Sequence, residues 1–526
     1  MSLGYLSFVL HAHLPFVRHP EDARPRRDDW YLEALVESYL PLLQSWHKLQ
    51  ADGARFRLTL SISPPLLSMM RDPFLQRRAR EHLDSLLRLA ESELARTREW
   101  PDVRAVVEMY RQRFGAARQF FVERWGCNLV DCVRALMQAG CLEVITTAAT
   151  HGFLPALRAN PNVVRAQIMV ALDLYEEVFG RRPPGMWLPE CGYYPGLDTE
   201  LQREGIRYFI VDAQGVLKAR PSPKYGVHAP VYCPSGVAAF ARDPACSEQV
   251  WSSRLGYPGD YDYREFYRDI GYDLDPQYLA PYLPADGGRK DTGFKYYRIT
   301  GPGEFKAIYV REWALHKAGL HAGHFLDARC QQIEHLARHL GRKPVLVAPF
   351  DAELFGHWWF EGPEWLDFFI RKVVYDQNVI ELITPSDYLD RYPVNQVVEL
   401  CPSTWGRNST NEVWVNGRND YIYRHLHAAA RRMRTLAQED LPRRTLRQRA
   451  IRQAARELLL AQASDWAFMM NDSNTAEYGH ARFREHMLNF LGLYRQIHAD
   501  RIDRAWLERL ESTDNLFPNI NLEHFR

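Results

Sequence analysis

The sequence predicts an α/β protein: a (β/α)7 barrel with a helical insertion and a C-terminal all-helical domain. Short apolar runs bounded by turn or polar residues recur up to about residue 390, and amphipathic segments separate several of them. Long helical patterns replace these runs after about residue 400. Because strands that alternate with helices are joined by right-handed crossovers, the strands are expected to form a parallel sheet.

Seven apolar runs are typical of fully buried strands. They are residues 5–10, 56–62, 142–149, 185–190, 207–213, 345–351 and 379–385. Seven strands suggest a closed or nearly closed barrel, with amphipathic helices such as 163–179 and 365–376 outside it. The βα loops of such a barrel converge at the C-terminal ends of the strands, where the chemistry is expected.

Two segments interrupt this alternation. Residues 72–137 are charged and helically periodic, which predicts a helical insertion that leaves 1–71 and 138–399 for the barrel. Residues 214–300 are rich in Gly, Pro, Asp and Tyr, as expected of a long structured lid region over an active site. Residues 400–526 are predicted to form the C-terminal helical domain and to contribute to the substrate groove.

Composition excludes several classes of function. Lys+Arg number 66 and Asp+Glu 65 in 526 residues, so the chain lacks the basic excess that nucleic-acid binding uses. No stretch approaches the ~20 apolar residues of a membrane helix. The opening MSLGYLSFVLHAHLP does not resemble an export signal, and the eight cysteines contain no C-x-x-C pair, so a cytoplasmic location with reduced thiols is expected. The oligomeric state is left open.

Titratable residues stand where the predicted strands end. His11 and His13 follow the first strand, His151 follows the third, Glu190 closes the fourth and Asp351 closes the sixth. A carboxylate directly after an apolar run is costly to bury unpaired, so this set indicates a functional site at the strand mouth.

Two chemistries fit these residues. In a metal hydrolase, His11, His13, His151 and Asp351 would hold Zn²⁺ and activate water. In a glycosidase, Glu190 and Asp351 would flank a glycosidic bond, with histidines and aromatic rings as substrate contacts.

Aromatic residues favour the carbohydrate alternative. Large planar faces with a polar N–H suit pyranose rings, and several of the 14 tryptophans lie near the second carboxylate or in polar loops. These are Trp358, Trp359, Trp365, Trp405, Trp414 and Trp466. Tyr232, in the segment HAPVYCPSG, is the expected tip of the lid.

Five segments resemble, in order and spacing, the five sequence blocks of glycoside hydrolase family 57, and in particular its α-1,4-glucan branching enzymes. They are HAHLPF (11–16), HGFLP (151–155), GMWLPECGYY (185–194), APFDAELFGHWWFEGPEWL (348–366) and TWGRNSTNEVWVN (404–416). The similarity extends to 249–269 and to SDWAFMM (464–470), so it covers essentially the whole chain.

The resemblance implies a retaining mechanism without metal or cofactor, in which Glu190 is the nucleophile and Asp351 the acid/base. It also implies an α-1,4-glucan as substrate. The implied substrate contacts are His11, His13, His151, Trp251, Arg264, Trp405 and Asp465.

Three alternatives stay open beside a branching enzyme. An α-amylase or 4-α-glucanotransferase of the same family would keep Glu190 and Asp351 and differ in where the acceptor binds. A zinc-dependent amidohydrolase would use the histidines instead. A non-catalytic glucan-binding protein would need only the aromatic residues.

Overall fold

Strands and parallel pairing define the centre of the molecule in the computed structural model, which describes residues 2–20, 29–252, 256–284, 287–439 and 445–526. The strands in these ranges are β1 (Gly4–Ala12), β2 (Leu58–Ile62), β3 (Leu142–Ile145), β4 (Gly185–Trp187), β5 (Tyr208–Val211), β6 (Val231–Tyr232), β7 (Ala238–Ala241), β8 (Val345–Asp351) and β9 (Ile380–Leu382).

Seven of these strands form a closed ring in the order β1, β2, β3, β4, β5, β7, β8. Parallel pairing joins β8 to β1, β1 to β2 and β2 to β3 in one sheet, and β4 to β5 and β5 to β7 in another. The amide of Trp187 donates to the Thr146 carbonyl (2.8 Å), and the amide of Asp243 donates to the Val347 carbonyl (2.8 Å). These two contacts join the sheets, and the predicted (β/α)7 barrel is confirmed.

The strand that lies between β5 and β8 in the ring is β7, which the sequence analysis did not predict as a strand. The sequence AAFA of β7 lies inside the region expected to be a lid, and its small residues have low β-propensity. The predicted seventh strand is observed as β9, which pairs only with the first residues of β1. The region 214–300 therefore contains α10 directly after β5 and the barrel strand β7, and only its remainder after β7 and α11 is long enough for the expected lid.

Alternate residues of the ring face inward and form a core of their own, which includes Trp187, Tyr208 and Phe240. Gly185 is required because a Cβ there would lie 2.3 Å from the ring of Tyr208. This interior is filled at the N-terminal end of the barrel, so the C-terminal end is the open one.

Helices surround the barrel and form the insertion. They are α1 (Asp29–Ala34), α2 (Leu40–Ala51), α3 (Pro64–Arg71), α4 (Pro73–Arg96), α5 (Pro101–Arg118), α6 (Leu129–Gln138), α7 (Leu154–Leu157), α8 (Pro161–Phe179), α9 (Leu197–Arg203), α10 (Ala213–Leu217), α11 (Pro244–Trp251), α12 (Ile270–Asp273), α13 (Pro276–Leu279), α14 (Arg311–Leu340), α15 (Gly362–Tyr375) and α16 (Pro385–Arg391). Local signals set their ends: Asp72 caps α4 by accepting from the amides of Phe74 and Leu75, and α8 ends at Gly180 with φ 71°.

The C-terminal region is helical. Its helices are α17 (Tyr421–Ala437), α18 (Leu446–Ala461), α19 (Ser464–Asn471), α20 (Ala476–His498) and α21 (Arg504–Thr513). The start of α19 contacts the barrel directly, because the amide of Ser464 donates to the carbonyl of His151 (3.0 Å). Among the residues that could be searched, no helix is long and apolar enough to cross a membrane.

Candidate active site

The C-terminal ends of β1, β2 and β8 meet at one level of the barrel. His11 is the register partner of Ser61 on one side and of Asp351 on the other. The side chain of His11 stacks on Trp187 of β4, with ring centroids 4.6 Å apart and an interplanar angle of 5°. The strand ends that were expected to carry the chemistry therefore lie side by side.

A continuous chain of hydrogen bonds leads from β2 to Glu190. Ser61 Oγ lies 3.0 Å from His11 Nδ1, and His11 Nε2 lies 3.0 Å from His151 Nε2. His151 Nδ1 lies 2.8 Å from Ser464 Oγ, which donates to Glu190 Oε1 at 2.8 Å.

One placement of protons satisfies every link of this chain. Since the Ser464 hydroxyl donates to Glu190, it accepts from His151 Nδ1–H, and His151 Nε2 then accepts from His11 Nε2–H. The Ser61 hydroxyl donates to His11 Nδ1. Both rings are therefore neutral, in agreement with their pKa values, which burial holds well below the usual range with further lowering from His13.

Glu190 is held in place by its backbone and by two donors. Its φ of 60° lies in the left-handed region, in a short turn after β4. The indole of Trp405 donates to Glu190 Oε2 (2.9 Å), and the Trp405 amide donates to the Glu190 carbonyl (3.0 Å). Burial raises the pKa of Glu190, but the hydrogen bonds from Trp405 and Ser464 oppose this and favour the ionised form.

Asp351 has a contrasting environment at the end of β8. Among the residues that the structure describes, none donates a hydrogen bond to its carboxylate. Burial, followed by the negative charges of Glu353 and Glu190, raises its pKa well above the usual range. Burial thus raises the pKa of both carboxyl groups, but only Glu190 has donors that oppose the rise, so Asp351 is expected to hold the proton first, as a nucleophile and a general acid require.

His13 connects the C-terminal region with the barrel. Its Nε2 lies 3.1 Å from Asp465 Oδ1, and its ring stacks on His151 with centroids 4.0 Å apart. Burial alone would lower the pKa of His13, but Asp465, aided by Glu353 and Glu190, raises it. Among the described residues its buried Nδ1 has no hydrogen-bond partner, and the side chain as a whole is 11% exposed.

Glu353 stabilises the turn that follows Asp351. It accepts a hydrogen bond from the hydroxyl of Tyr39 and one from the amide of His13 (3.1 Å). Burial raises its pKa, and the Tyr39 contact opposes this shift. The backbone near Asp351 is thereby tied to β1.

The residues that could hold a metal ion differ from the expected four. Ligand atoms of His13, His151 and Asp465 lie within 4.8 Å of one another, and Asp351 does not belong to this group. Because both ring nitrogens of His151 already take part in the hydrogen-bond chain, the arrangement suits orientation of Glu190 better than metal binding.

The structure places His11 and His151 in the hydrogen-bond chain that ends at Glu190. Both nitrogens of each ring have partners within the protein, so we expect these two histidines to position Glu190. The substrate contacts of His11, His13 and His151 stay predictions. Trp405 and Asp465 lie at the site as expected.

Two tryptophans expected to contact substrate are core residues instead. Trp359 and Trp414 are each 1% exposed. Trp359 lies against Trp365 (centroids 5.3 Å apart), and Trp414 stacks on Phe153 (4.9 Å). In the HWW segment it is Trp358 that faces outward, because neighbouring residues of this turn point in opposite directions.

Arg264 is buried as well, and its contacts are within the protein. Its Nη2 donates to the carbonyl of His357 (3.4 Å), its Nη1 lies 3.7 Å from Glu37, and its guanidinium lies over the ring of Phe360. It therefore supports the segment that follows Asp351. Trp251, half exposed at the end of α11, remains a predicted contact.

The structure also corrects the expected role of Tyr232. Its register partner is Ala238, the first residue of β7, which in turn pairs with Tyr208 at the start of β5. Tyr232 therefore lies at the N-terminal end of the barrel, opposite Glu190, and its hydroxyl donates to the Pro393 carbonyl (3.1 Å). A short strand next to β7 could not be recognised in a segment rich in Gly and Pro.

Sequence reasoning missed Ser61, Ser464, Trp187 and Tyr39. Ser61 is the direct register partner of His11 on the neighbouring strand, so strand alternation could have pointed to it. Ser464 directly precedes the expected Asp465, but nothing local in SDWAFMM indicates that its hydroxyl reaches Glu190.

Comparison with known proteins identifies the class to which this fold and site belong. Residues 7–401 match the family model described as glycosyl hydrolase family 57, and the chain belongs to that family. Residues 425–525 match the model described as the C-terminal domain of 1,4-alpha-glucan branching enzyme.

Individual relatives are similar over nearly the whole chain. A 1,4-alpha-glucan branching enzyme of Thermococcus kodakarensis is 33% identical, over 98% of this chain and 77% of its own length. The crystal structure of an alpha-amylase, AmyC, from Thermotoga maritima matches with a TM-score of 0.92 at 40% identity, over 99% of both chains. A family 57 branching enzyme from Pyrococcus horikoshii matches with a TM-score of 0.89 at 32% identity, over 99% of this chain and 97% of its own.

Proposed function

We propose that this chain is a 1,4-alpha-glucan branching enzyme that cleaves an α-1,4 bond with retention and re-forms the link as an α-1,6 branch. Glu190 attacks the anomeric carbon while Asp351 gives its proton to the leaving oxygen. A glucan hydroxyl then displaces Glu190 and returns a proton to Asp351. The substrate is an α-1,4-glucan such as amylose or a glycogen-like polysaccharide.

The observation that carries this proposal is the unequal treatment of the two carboxyl groups. Glu190 accepts hydrogen bonds from Trp405 and Ser464, which stabilise the attacking carboxylate. Asp351 receives no donor within the described residues, and the charge of Glu190 favours its protonated form. The site is thus prepared for the first chemical step.

The C-terminal region supports transfer over simple hydrolysis. Both donors to the Glu190 carboxylate, and Asp465 beside His13, come from residues after 400. Of these residues, Ser464 and Asp465 lie within 425–525, which match the branching enzyme C-terminal model, and this supports a contribution of that region to the site. An acceptor held there can compete with water for the glycosyl-enzyme.

An α-amylase is the second candidate, because the Thermotoga maritima structure of that title has 40% identity to this chain. Incubation with amylose separates the two. New α-1,6 linkages are counted by proton NMR and by debranching with an α-1,6-specific enzyme, and new reducing ends are counted in the same sample. More α-1,6 linkages than reducing ends supports branching; reducing ends without α-1,6 linkages overturns it in favour of hydrolysis.

We also propose that the enzyme works in the cytoplasm. All eight cysteines are free thiols, which fits a reducing compartment. Fractionation of cells that express the chain, followed by immunodetection, tests this location.

A further inference from the structure

An arginine lies between two half-exposed aromatic rings on the segment that follows α11. The guanidinium carbon of Arg298 is 4.7 Å from the ring centre of Tyr261 and 5.3 Å from that of Trp313. Tyr261 is 52% exposed and Trp313 is 53% exposed. Two large rings kept in water at one place are costly unless a ligand uses them.

Backbone contacts fix the positions of these rings. The carbonyl of Tyr261 accepts from the amide of Thr300 (3.1 Å), and the amide of Arg298 donates to Ala307 (3.0 Å). Trp313 belongs to the first turn of α14. Rigid rings lose little conformational freedom when they bind, which makes them suitable anchors.

The charges around the rings are balanced. Arg298 Nη1 donates to Asp262 Oδ1 (3.0 Å), and Lys317 Nζ lies 3.7 Å from Asp260 and 3.6 Å from Asp262. Two cations beside two carboxylates offer donors and acceptors without a net charge. A phosphate-rich ligand would be repelled by the two aspartates, whereas a neutral polyhydroxyl ligand would not.

We propose that Tyr261, Arg298 and Trp313 form a surface site for an α-glucan chain, separate from the catalytic pair. The two distances to Arg298 limit the separation of the ring centres to about 10 Å, a length that a disaccharide unit can cover. Within the described ranges, no hydrogen bond or ring contact joins these three residues to Glu190 or Asp351.

The choice of an α-glucan as ligand rests on the proposed function. A polymer that is also bound at the surface site stays near the catalytic site after it has dissociated from the catalytic site. The surface site therefore raises the effective concentration of long chains. An oligosaccharide too short to contact both places at once gains nothing from it.

The test compares Trp313→Ala and Tyr261→Ala with the matched variant Trp100→Ala. Trp100 is also 53% exposed and also lies beside an arginine, Arg96 (5.4 Å), but it lacks a second ring there. Retardation in native gels that contain amylose gives binding, and kinetics are measured on amylose and on maltoheptaose. Trp313→Phe tests whether an aromatic ring is sufficient.

We expect Trp313→Ala and Tyr261→Ala to weaken amylose retardation roughly fivefold to tenfold. KM for amylose should rise by a similar factor, while kcat and all constants for maltoheptaose stay unchanged. Trp313→Phe should retain most of the binding, and Trp100→Ala should bind like the parent.

Unchanged amylose retardation in both Trp313→Ala and Tyr261→Ala overturns the proposed surface site. An equal loss of amylose retardation in Trp100→Ala also overturns it. Equal retardation of the parent protein by a β-1,4-glucan overturns the choice of ligand. If the parent forms no α-1,6 linkages but loses amylose retardation in Trp313→Ala, the surface site stands and the branching function fails.

Discussion

The barrel mouth and the centre of the C-terminal helices contain clusters with the same residue types. At the mouth, His13, His151 and Asp465 bring their ligand atoms within 4.8 Å of one another, and Glu457, His486 and Asp514 do so between α18, α20 and the end of α21. The two clusters have nearly identical composition, so residue type alone does not distinguish a catalytic site from a structural one.

The difference lies in how far each cluster is buried. In the helical cluster, Glu457 accepts from Gln453 (2.9 Å) and from His486 (2.9 Å), and the second nitrogen of His486 accepts from Arg482 (3.0 Å). At the mouth, the side chains of His13 and Asp465 remain 11% and 13% exposed, whereas Glu457, His486 and Asp514 are all buried. Partial exposure at a strand mouth is therefore what distinguishes the candidate site from the helical cluster.

The strongest test of this contrast makes the same amide substitution at a buried glutamate of each region, Glu190 at the mouth and Glu457 among the C-terminal helices. Glu190→Gln removes the proposed nucleophile and should lower the rate on amylose by roughly 10³-fold or more, with glucan binding preserved. Asp351→Asn should have a similar effect, because the leaving oxygen is no longer protonated. Initial rates and amylose retardation are the measurements.

Glu457→Gln is the matched control, since its carboxyl is also buried beside a histidine. Its rate should stay within about threefold of the parent, because it does not contact the reacting atoms. A loss in Glu457→Gln as large as in Glu190→Gln would mean that the helical cluster is part of the catalytic machinery.

The next largest effect is expected at the end of the hydrogen-bond chain. Ser464→Ala removes one donor from Glu190 and leaves His151 Nδ1–H without a partner, so kcat should fall roughly 10- to 100-fold with KM little changed. Donors favour the ionised form of Glu190, so their loss raises its pKa and moves the acidic limb of the pH–rate profile to higher pH.

Ser61→Ala, at the far end of the same chain, should give a smaller loss in kcat and leave the acidic limb in place. Ser464→Thr keeps a hydroxyl and should recover much of the activity. An acidic limb that does not move in Ser464→Ala would show that this serine has only a packing role.

Position along strands was the part of the site that the sequence could reveal. Glu190 and Asp351 end apolar runs, and parallel strands bring their ends together whatever the rest of the chain does. Ser464 reaches Glu190 through the packing of α19 on the barrel, across 274 residues, and no local pattern records such a contact. For the same reason, periodicity did not show that Trp358 faces outward while Trp359 is buried.

The strands of the fold also differ in whether their own sequence reveals them. Strands such as VLVAPFD of β8 are apolar enough to be recognised, whereas AAFA of β7 is stabilised by pairing with β5 rather than by its own propensity. Overlooking β7 placed Tyr232 on the wrong side of the barrel.

A smaller effect is expected on stability in the helical cluster. Burial raises the pKa of Glu457 to about 7, above its unfolded value, and raises that of Asp514 to about 7, with Glu457 contributing. A carboxyl whose folded pKa is raised gives stability that is fully present below the unfolded pKa and is lost as pH rises through about 7.

In Glu457→Gln the amide cannot titrate, and without the charge of Glu457 the folded pKa of Asp514 is lower. Both effects reduce the loss of stability with rising pH. The free energy of unfolding of the variant, relative to the parent, should be about 1–3 kcal/mol more favourable at pH 8 than at pH 5. Urea unfolding of both proteins between pH 5 and pH 8 measures the difference. Parallel pH curves would place the titrating group elsewhere.

The smallest effect concerns the acid at the mouth. After burial, the negative charge of Glu353 is the largest influence that raises the pKa of Asp351. Asp351 must be protonated to act, so removing that charge by Glu353→Gln should lower its pKa and move the alkaline limb of the kcat/KM profile to lower pH, by about 1 unit. The amide oxygen can still accept from Tyr39 and from the His13 amide, so the turn should be preserved.

Glu361→Gln is the matched control. Glu361 is a buried glutamate of the same segment that accepts from the Arg264 amide (3.2 Å), and its charge is not among those that act on Asp351. An alkaline limb that shifts equally in both variants, or in neither, would show that the pKa of Asp351 depends on burial alone.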